Sequence, residues 1–478
     1  MRNRTKGGRV VAELLIALVF VAGAALRPGG CEETMDLSRV PQIHETPKQR
    51  DARMQWWRDA KFGMFLHWGP VSLSGKELSW SRYANRPWDI NGVMTPCEPD
   101  YNYDHLYEKF DPVKFNAAEW VKIAQDAGMK YMVIITKHHD GFSMYDSKLT
   151  EYDIMATPYG KDIIKQFSAA CHKAGMKLGF YYSTRDWYNP EYLVGDNVKY
   201  DNWYRGQVRE LLSNYGKVDV MWFDHVGGQN WGKWKFDELF SMMYRLQPGM
   251  IVNNRAARFC GPRTPEDQGP PSPEIKKMTD GDFGTPEQSV GNMDLKNDWE
   301  SCMTLVGGQW SWKPGGRMYT FDGTLNILVS CVTGGGNLLL NIGPMPTGEI
   351  EGRQVELLKQ VGDWIKPRAE AIYGTRGGPW ENGKWGGSTH RGNRVYVFAK
   401  PWEGDKLRLY PLPGKVTAAR NVVGGEAVAF QQTEKGIDLT LARDRRQDPF
   451  FTVIELTLDA PVPDGTRIKA LRPPAEEL

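Results

Sequence analysis

A chain of 478 residues is too long for one ordinary domain, so one large and one smaller domain is the expected layout. Its 60 Lys+Arg and 58 Asp+Glu leave a formal net charge of +2, which offers no basic field for a nucleic-acid backbone. With 41% hydrophobic and 25% charged residues the chain is neither disordered nor a polytopic membrane protein, and its 18 tryptophans are the one unusual count.

In chain order, Arg2, Arg4, Lys6 and Arg9 precede an apolar run over 10–26 that ends in small residues, so residues 1–28 read as an export signal. Glu13 and the shortness of the run argue against a stable membrane span. Cys31 follows two glycines, but Arg27 and Pro28 interrupt the pattern, which makes it a weak match for lipid attachment. The expected destination is periplasmic or extracellular. The six cysteines form neither a Cys-x-x-Cys pair nor a zinc spacing with histidine, and no disulfide pairing is assigned.

From about residue 60 to 345, short apolar runs alternate with helical patterns, the layout of β/α units around a parallel sheet. Strands are predicted at 62–66, 131–136, 178–182, 218–223, 250–252 and 337–342, with helices such as 117–127 and 162–174 between them. Five strands end in residues with chemical capability: His67-Trp68, Lys137-His138-His139-Asp140, Ser183-Thr184-Arg185-Asp186, Asp224-His225 and Asn253-Asn254-Arg255. A (β/α)8-like TIM barrel gathers such ends on one rim, and the absence of a Gly-x-Gly-x-x-Gly turn disfavours a doubly wound sheet. Residues 45–373 are therefore expected to form an α/β barrel domain. Residues 87–100 and 258–297, rich in Pro, Gly and Asp, read as long irregular loops of the kind that are functional or disordered. Beyond residue 375 the period changes to two, which predicts a C-terminal antiparallel β-sandwich over 380–478.

Asp224 ends an apolar strand and places a carboxylate at the rim, with Trp222 and Phe223 behind it. His138 and His139 suggest a metal, but neighbours on a strand face opposite ways, so substrate hydroxyl contacts are the favoured reading and no metal is assigned. Trp68 is expected at a tight turn presenting an aromatic, and Trp80 on the loop that follows. Fourteen of the 18 tryptophans lie between residues 56 and 312, and near a polar rim that excess suits a sugar, whose C–H faces pack on rings. The Gly334-Gly-Gly-Asn337 stretch lacks the Lys and Ser/Thr of a phosphate cradle, and no cofactor is assigned.

The ordered set Phe62-Gly-Met-Phe-Leu-His-Trp-Gly-Pro70, Gly75-Lys-Glu-Leu-Ser-Trp-Ser-Arg82, Thr136-Lys-His-His-Asp-Gly-Phe142, Asp219-Val-Met-Trp-Phe-Asp224, Asn253-Asn-Arg255 and Asn337-Leu-Leu-Leu-Asn-Ile-Gly-Pro344 resembles glycoside hydrolase family 29, the α-L-fucosidases. The resemblance implies a retaining, metal-independent enzyme acting on fucosylated oligosaccharides or glycoconjugates, with Asp224 as nucleophile. It places His67, Trp80, His138, His139, Tyr181 or Tyr182, and Arg255 around the sugar, and Glu77 near a pocket acid of the family, while Trp222 is taken as a further sugar contact from its place beside the strand end that carries Asp224. It draws the acid/base from the variable loop, where Glu287 is the first candidate, Glu300 the rival and Glu274 a distant third. A retaining hydrolase of a related sugar such as a galactoside, or an inactive carbohydrate-binding homologue, are the alternatives, and the oligomeric state is left open.

Overall fold

A computed structural model describes residues 44–469, apart from 83–99, 225, 227–230, 259–268, 271, 292, 443 and 445–447. The predicted export segment, Cys31 and most of the loop at 87–100 lie outside the described residues. Seven parallel strands form one sheet: β1 (Phe62–Leu66), β2 (Tyr131–Lys137), β3 (Lys177–Tyr182), β4 (Val220–Phe223), β5 (Ile251–Val252), β6 (Glu300–Thr304) and β7 (Asn337–Ile342). Their order, β5-β4-β3-β2-β1-β7-β6, is that of a (β/α) barrel opened between β5 and β6.

That opening is filled by residues 282–288, which the sequence presented as loop. Asp282 N donates to Val252 O (2.6 Å) and Asn254 N to Phe283 O (2.9 Å) on the β5 side. On the β6 side, Glu300 N donates to Gly284 O (2.9 Å), Cys302 N to Pro286 O and Gln288 N to Cys302 O (both 3.0 Å). The bridges run parallel to both neighbours, so this segment is the missing stave. Pro286 has no N–H to give a ladder, which keeps the stave irregular.

Strand alternation divides the buried side chains into two cores. Phe62, Met64 and Leu66 of β1 and Met221 and Phe223 of β4 pack outward against the helices. Phe65, Tyr131, Val133, Tyr181, Val220, Trp222, Cys302 and Leu339 fill the barrel interior, together with Phe283 of the stave. Helix α1 (Pro47–Ala60), started by a Thr46/Gln49 capping box, adds Met54 and Trp57 to the same interior core. Trp57 packs on Phe283 with ring centroids 4.8 Å apart.

Three arginines of this helix also clamp the flanks of the stave. Arg53 bonds both oxygens of Asp282 (2.8 and 2.9 Å), while Arg58 (2.6 and 2.9 Å) and Arg50 (3.0 Å) hold Asp298. Gly63 is required by its neighbour across the ladder: a Cβ there would stand 2.5 Å from the Tyr131 ring, which lies over it inside the barrel.

C-terminal to the barrel, β8 (Arg376–Gly377), β9 (Gly386–Arg391), β10 (Arg394–Ala399), β12 (Val416–Asn421) and β15 (Thr452–Leu458) build a five-stranded antiparallel sheet. β11 (Lys406–Leu409), β13 (Ala429–Thr433) and β14 (Gly436–Thr440) build a three-stranded one. Val395, Val397, Ile454 and Leu456 of the first share a core with Leu407, Leu409, Ile437 and Leu439 of the second. Among the described residues, no helix is long and apolar enough to cross a membrane.

Candidate active site

Asp224 leaves β4 at the carboxyl end of the barrel, where its neighbours fix both oxygens. Tyr181 OH donates to Oδ2 (2.9 Å), Arg255 Nη1 donates to Oδ1 (3.1 Å), and His139 Nε2 stands 3.5 Å from Oδ2. Arg255 Nη1 also donates to Glu287 Oε2 (2.9 Å). Two carboxylate oxygens bound to one nitrogen at 3.1 and 2.9 Å are no more than about 6.0 Å apart. Retaining enzymes hold their two carboxyl groups roughly 5–5.5 Å apart and inverting ones roughly 6.5–9.5 Å, and two oxygens sharing one donor nitrogen are compatible with the closer spacing.

The guanidinium that sets this spacing is itself anchored to the stave. Arg255 Nε donates to Thr285 Oγ1 (2.7 Å) and Nη2 to Thr285 O (2.9 Å), and its carbon lies 4.8 Å above the Trp222 ring. The Asp224 side chain is 19% exposed and that of Glu287 43%, so the second carboxylate has the freer access to solvent.

Around Asp224 lies a cavity of about 220 Å³, below the roughly 300–1,000 Å³ of sites for drug-sized ligands and on the scale of one sugar ring. His67, Trp80, His138, His139, Tyr181, Trp222, Arg255 and Glu287, all predicted, line it with Asp224. So do Phe65 and Trp310, which the sequence had not singled out, and Arg185. Phe65 is recoverable as the inward member of an alternating strand. Arg185 stood at a strand end without a role. Trp310 follows β6, a strand missed because Glu-Ser-Cys-Met-Thr reads as polar.

Each histidine is held at one ring nitrogen. His67 Nδ1 meets Asn341 Oδ1 (2.7 Å), His138 Nδ1 meets Ser79 Oγ (2.6 Å) and His139 Nδ1 meets Ser183 Oγ (2.6 Å). Burial pushes His67 down to about 4 and His139 down to about 3, the latter against the pull of Asp224, and His138 falls well below the usual range. At neutral pH these are uncharged hydrogen-bonding groups, suited to hydroxyls rather than to an anion.

Four sequence expectations need correction. His138 and His139 do not face opposite ways, because β2 ends at Lys137 and the chain turns; their rings lie 4.1 Å apart. His138, His139 and Asp224 thus offer three possible ligand atoms within 4.8 Å of one another, the one such cluster among the described residues. Glu77 does not line the cavity: it accepts from the backbone N–H of Trp310 (3.0 Å) and Ser311 (3.4 Å), and burial pushes it up to about 7. Its effect on the pocket passes through Trp310. Trp68 is a core residue, 1% exposed and packed on Phe110, Phe115 and Trp120. Glu300 is 1% exposed inside the barrel and Glu274 lies in the first turn of the helix Pro273–Thr279; neither lines the cavity.

A family model described as alpha-L-fucosidase matches residues 34–370. The chain is 26% identical over 443 residues to an alpha-L-fucosidase of Dictyostelium discoideum, covering 84% of this chain and 92% of that one. It is 29% identical to the human plasma alpha-L-fucosidase, over 68% of this chain and 70% of the relative. Among solved structures, alpha-L-fucosidase isoenzyme 1 from Paenibacillus thiaminolyticus superposes with a TM-score of 0.74 at 32% identity, covering 86% of this chain and 99% of that one. A GH29 alpha-L-fucosidase from Bacteroides thetaiotaomicron, trapped as a covalent intermediate with 2-fluoro-fucosyl fluoride, superposes at 0.72 and 26% identity, over 86% and 97% of the two chains.

Proposed function

The chain belongs to the α-L-fucosidase family, glycoside hydrolase family 29, and from that premise we propose that it removes terminal α-L-fucose from glycans by double displacement, with Asp224 as nucleophile and Glu287 as acid/base. The observation that carries the reading is the single guanidinium nitrogen of Arg255 joining the two carboxylates beside a cavity of sugar-ring size.

Asp224, ionised and oriented by Tyr181 and Arg255, attacks the anomeric carbon while Glu287 gives its proton to the departing glycosidic oxygen. The C1–O bond to the leaving group breaks and a C1–Oδ bond to Asp224 forms. Water then enters, Glu287 takes its proton, and the fucosyl–Asp224 ester is cleaved from the opposite face. The neutral histidines His67, His138 and His139 hold hydroxyls, and interactions that tighten as the ring gains oxocarbenium character lower the barrier. Phe65, Trp222 and Trp310 supply the apolar wall that the fucose methyl group needs.

The test is turnover of p-nitrophenyl α-L-fucoside followed by NMR of the first-formed sugar. The expected product is α-L-fucose, with the α-L-galactoside, which differs by a hydroxyl at C6, turned over more slowly. First-formed β-L-fucose contradicts the double displacement, and faster turnover of the galactoside contradicts the sugar assignment.

Export rests on the basic residues and apolar run of positions 1–28. N-terminal sequencing of the protein recovered outside the cytoplasm is expected to begin beyond residue 28; recovery of the intact N-terminus in the cytoplasm contradicts it.

A further inference from the structure

Beneath the sugar pocket lies a carboxyl group that the double displacement does not use. Glu300 opens β6 with its side chain in the barrel interior, two positions before the inward-facing Cys302. It accepts from three neutral donors reaching it from different elements. Trp57 Nε1 of α1 (3.3 Å) and Tyr131 OH of β2 meet Oε2, and Trp222 Nε1 of β4 meets Oε1 at 3.2 Å. The first two come from the interior packing around α1. The third is a wall of the pocket.

We propose, resting on the fucosidase reading above, that Glu300 is a positioning residue that fixes the Trp222 indole and, through it, the two groups that orient Asp224. Trp222 is the plate on which both lean. The Arg255 guanidinium lies 4.8 Å over its ring, and Tyr181 stacks on it with centroids 5.6 Å apart and planes 25° from parallel. Arg255 and Tyr181 each donate to one oxygen of Asp224, and Arg255 spaces Asp224 from Glu287. A shift of the indole therefore reaches every hydrogen bond that sets the carboxylate pair, and such placements are sensitive to errors of about 1 Å. Accepting the indole N–H at the edge of the ring also pushes electron density into the Trp222 π system, which strengthens its hold on the cation over its face. Burial pushes Glu300 up to about 7 while its three donors pull it down, so this one interior site hosts the carboxyl group at a desolvation cost.

The asymmetry of the donors gives a selective probe. In Glu300→Gln the amide oxygen keeps the side where Trp57 and Tyr131 both donate, which turns the NH2 toward the Trp222 N–H, donor against donor. On p-nitrophenyl α-L-fucoside, kcat is expected to fall about tenfold or more with KM within about threefold. Trp222→Phe, which keeps an aromatic wall but has no N–H, is expected to lose a similar factor, and the double variant no more than either single one. Losses that multiply in the double variant, or a folded Glu300→Gln enzyme with unchanged kcat, overturn the proposal. If Glu300→Gln does not fold, Trp222→Phe carries the test alone, and wild-type kcat in it overturns the proposal. A wild-type protein inert on fucosides overturns the parent reading instead.

Discussion

Asp224→Ala is expected to lower kcat on p-nitrophenyl α-L-fucoside by at least about 10⁴-fold while leaving a folded protein, because among the described residues Asp224 and Glu287 are the carboxylates that line the cavity and Asp224 is the one proposed to form the glycosyl ester. The side chain is 19% exposed at the cavity wall, so its removal opens no sealed core. Its loss strands Tyr181 OH and one bond of Arg255, but Arg255 keeps Glu287 and Thr285. The folded state therefore survives where the chemistry does not. Azide occupying the vacated space attacks from the nucleophile's face, so the rescued product is β-L-fucosyl azide. A folded variant keeping more than about a tenth of wild-type kcat contradicts the assignment.

Glu287→Ala is expected to behave differently, and the difference identifies its role. General acid–base catalysis contributes about 10²–10⁴-fold, and the loss should be larger with a sugar leaving group, which needs the proton, than with p-nitrophenolate, which does not. Azide is expected to restore turnover by replacing water in the second step, giving α-L-fucosyl azide with net retention. Opposite anomers from the two variants are the signature of two carboxylates on opposite sides of the anomeric carbon. Glu300 has no route to either step, since its oxygens are engaged by Trp57, Tyr131 and Trp222 inside the barrel. Azide rescue of Glu300→Ala, with Glu287→Ala active, contradicts the acid/base assignment.

The barrel was legible where strands are apolar throughout. Phe62–Leu66, Tyr131–Lys137 and Asn337–Ile342 are buried on both faces and announce themselves by the apolar runs 62–66, 131–135 and 338–340. Their carboxyl ends gave away His67, His138, His139 and, with β4, Asp224, because polar groups directly after such runs can only sit on the rim. β6 escaped because Glu300, Ser301 and Thr304 are buried polar residues satisfied by partners remote in sequence: Tyr131 for Glu300, Ser289 O for Ser301 and Gln288 for Thr304. The stave at 282–288 escaped for a related reason. Gly284 and Pro286 spell a turn, and only the exposed backbone groups of β5 and β6 on either side convert that segment into part of the barrel.

Glu287 was a candidate by resemblance, whereas what holds it in place was not readable at all. Its stave is clamped at Asp282 and Asp298 by arginines of α1 some 230 to 250 positions away in sequence. The tryptophans divide by position: Trp80, Trp222 and Trp310 line the cavity around Asp224. Trp57 and Trp68 are core residues, and only the side of the strand or helix they occupy separates them from the others.

The most direct test of the account is to inactivate the enzyme with 2-fluoro-fucosyl fluoride, whose fluorine slows hydrolysis of a glycosyl ester, and to map the adduct by peptide mass spectrometry. The account predicts stoichiometric labelling of the peptide carrying Asp224, with the ester on Asp224 itself. Inactivation with the label on Glu287 or another carboxylate, or turnover with no adduct formed, would contradict it.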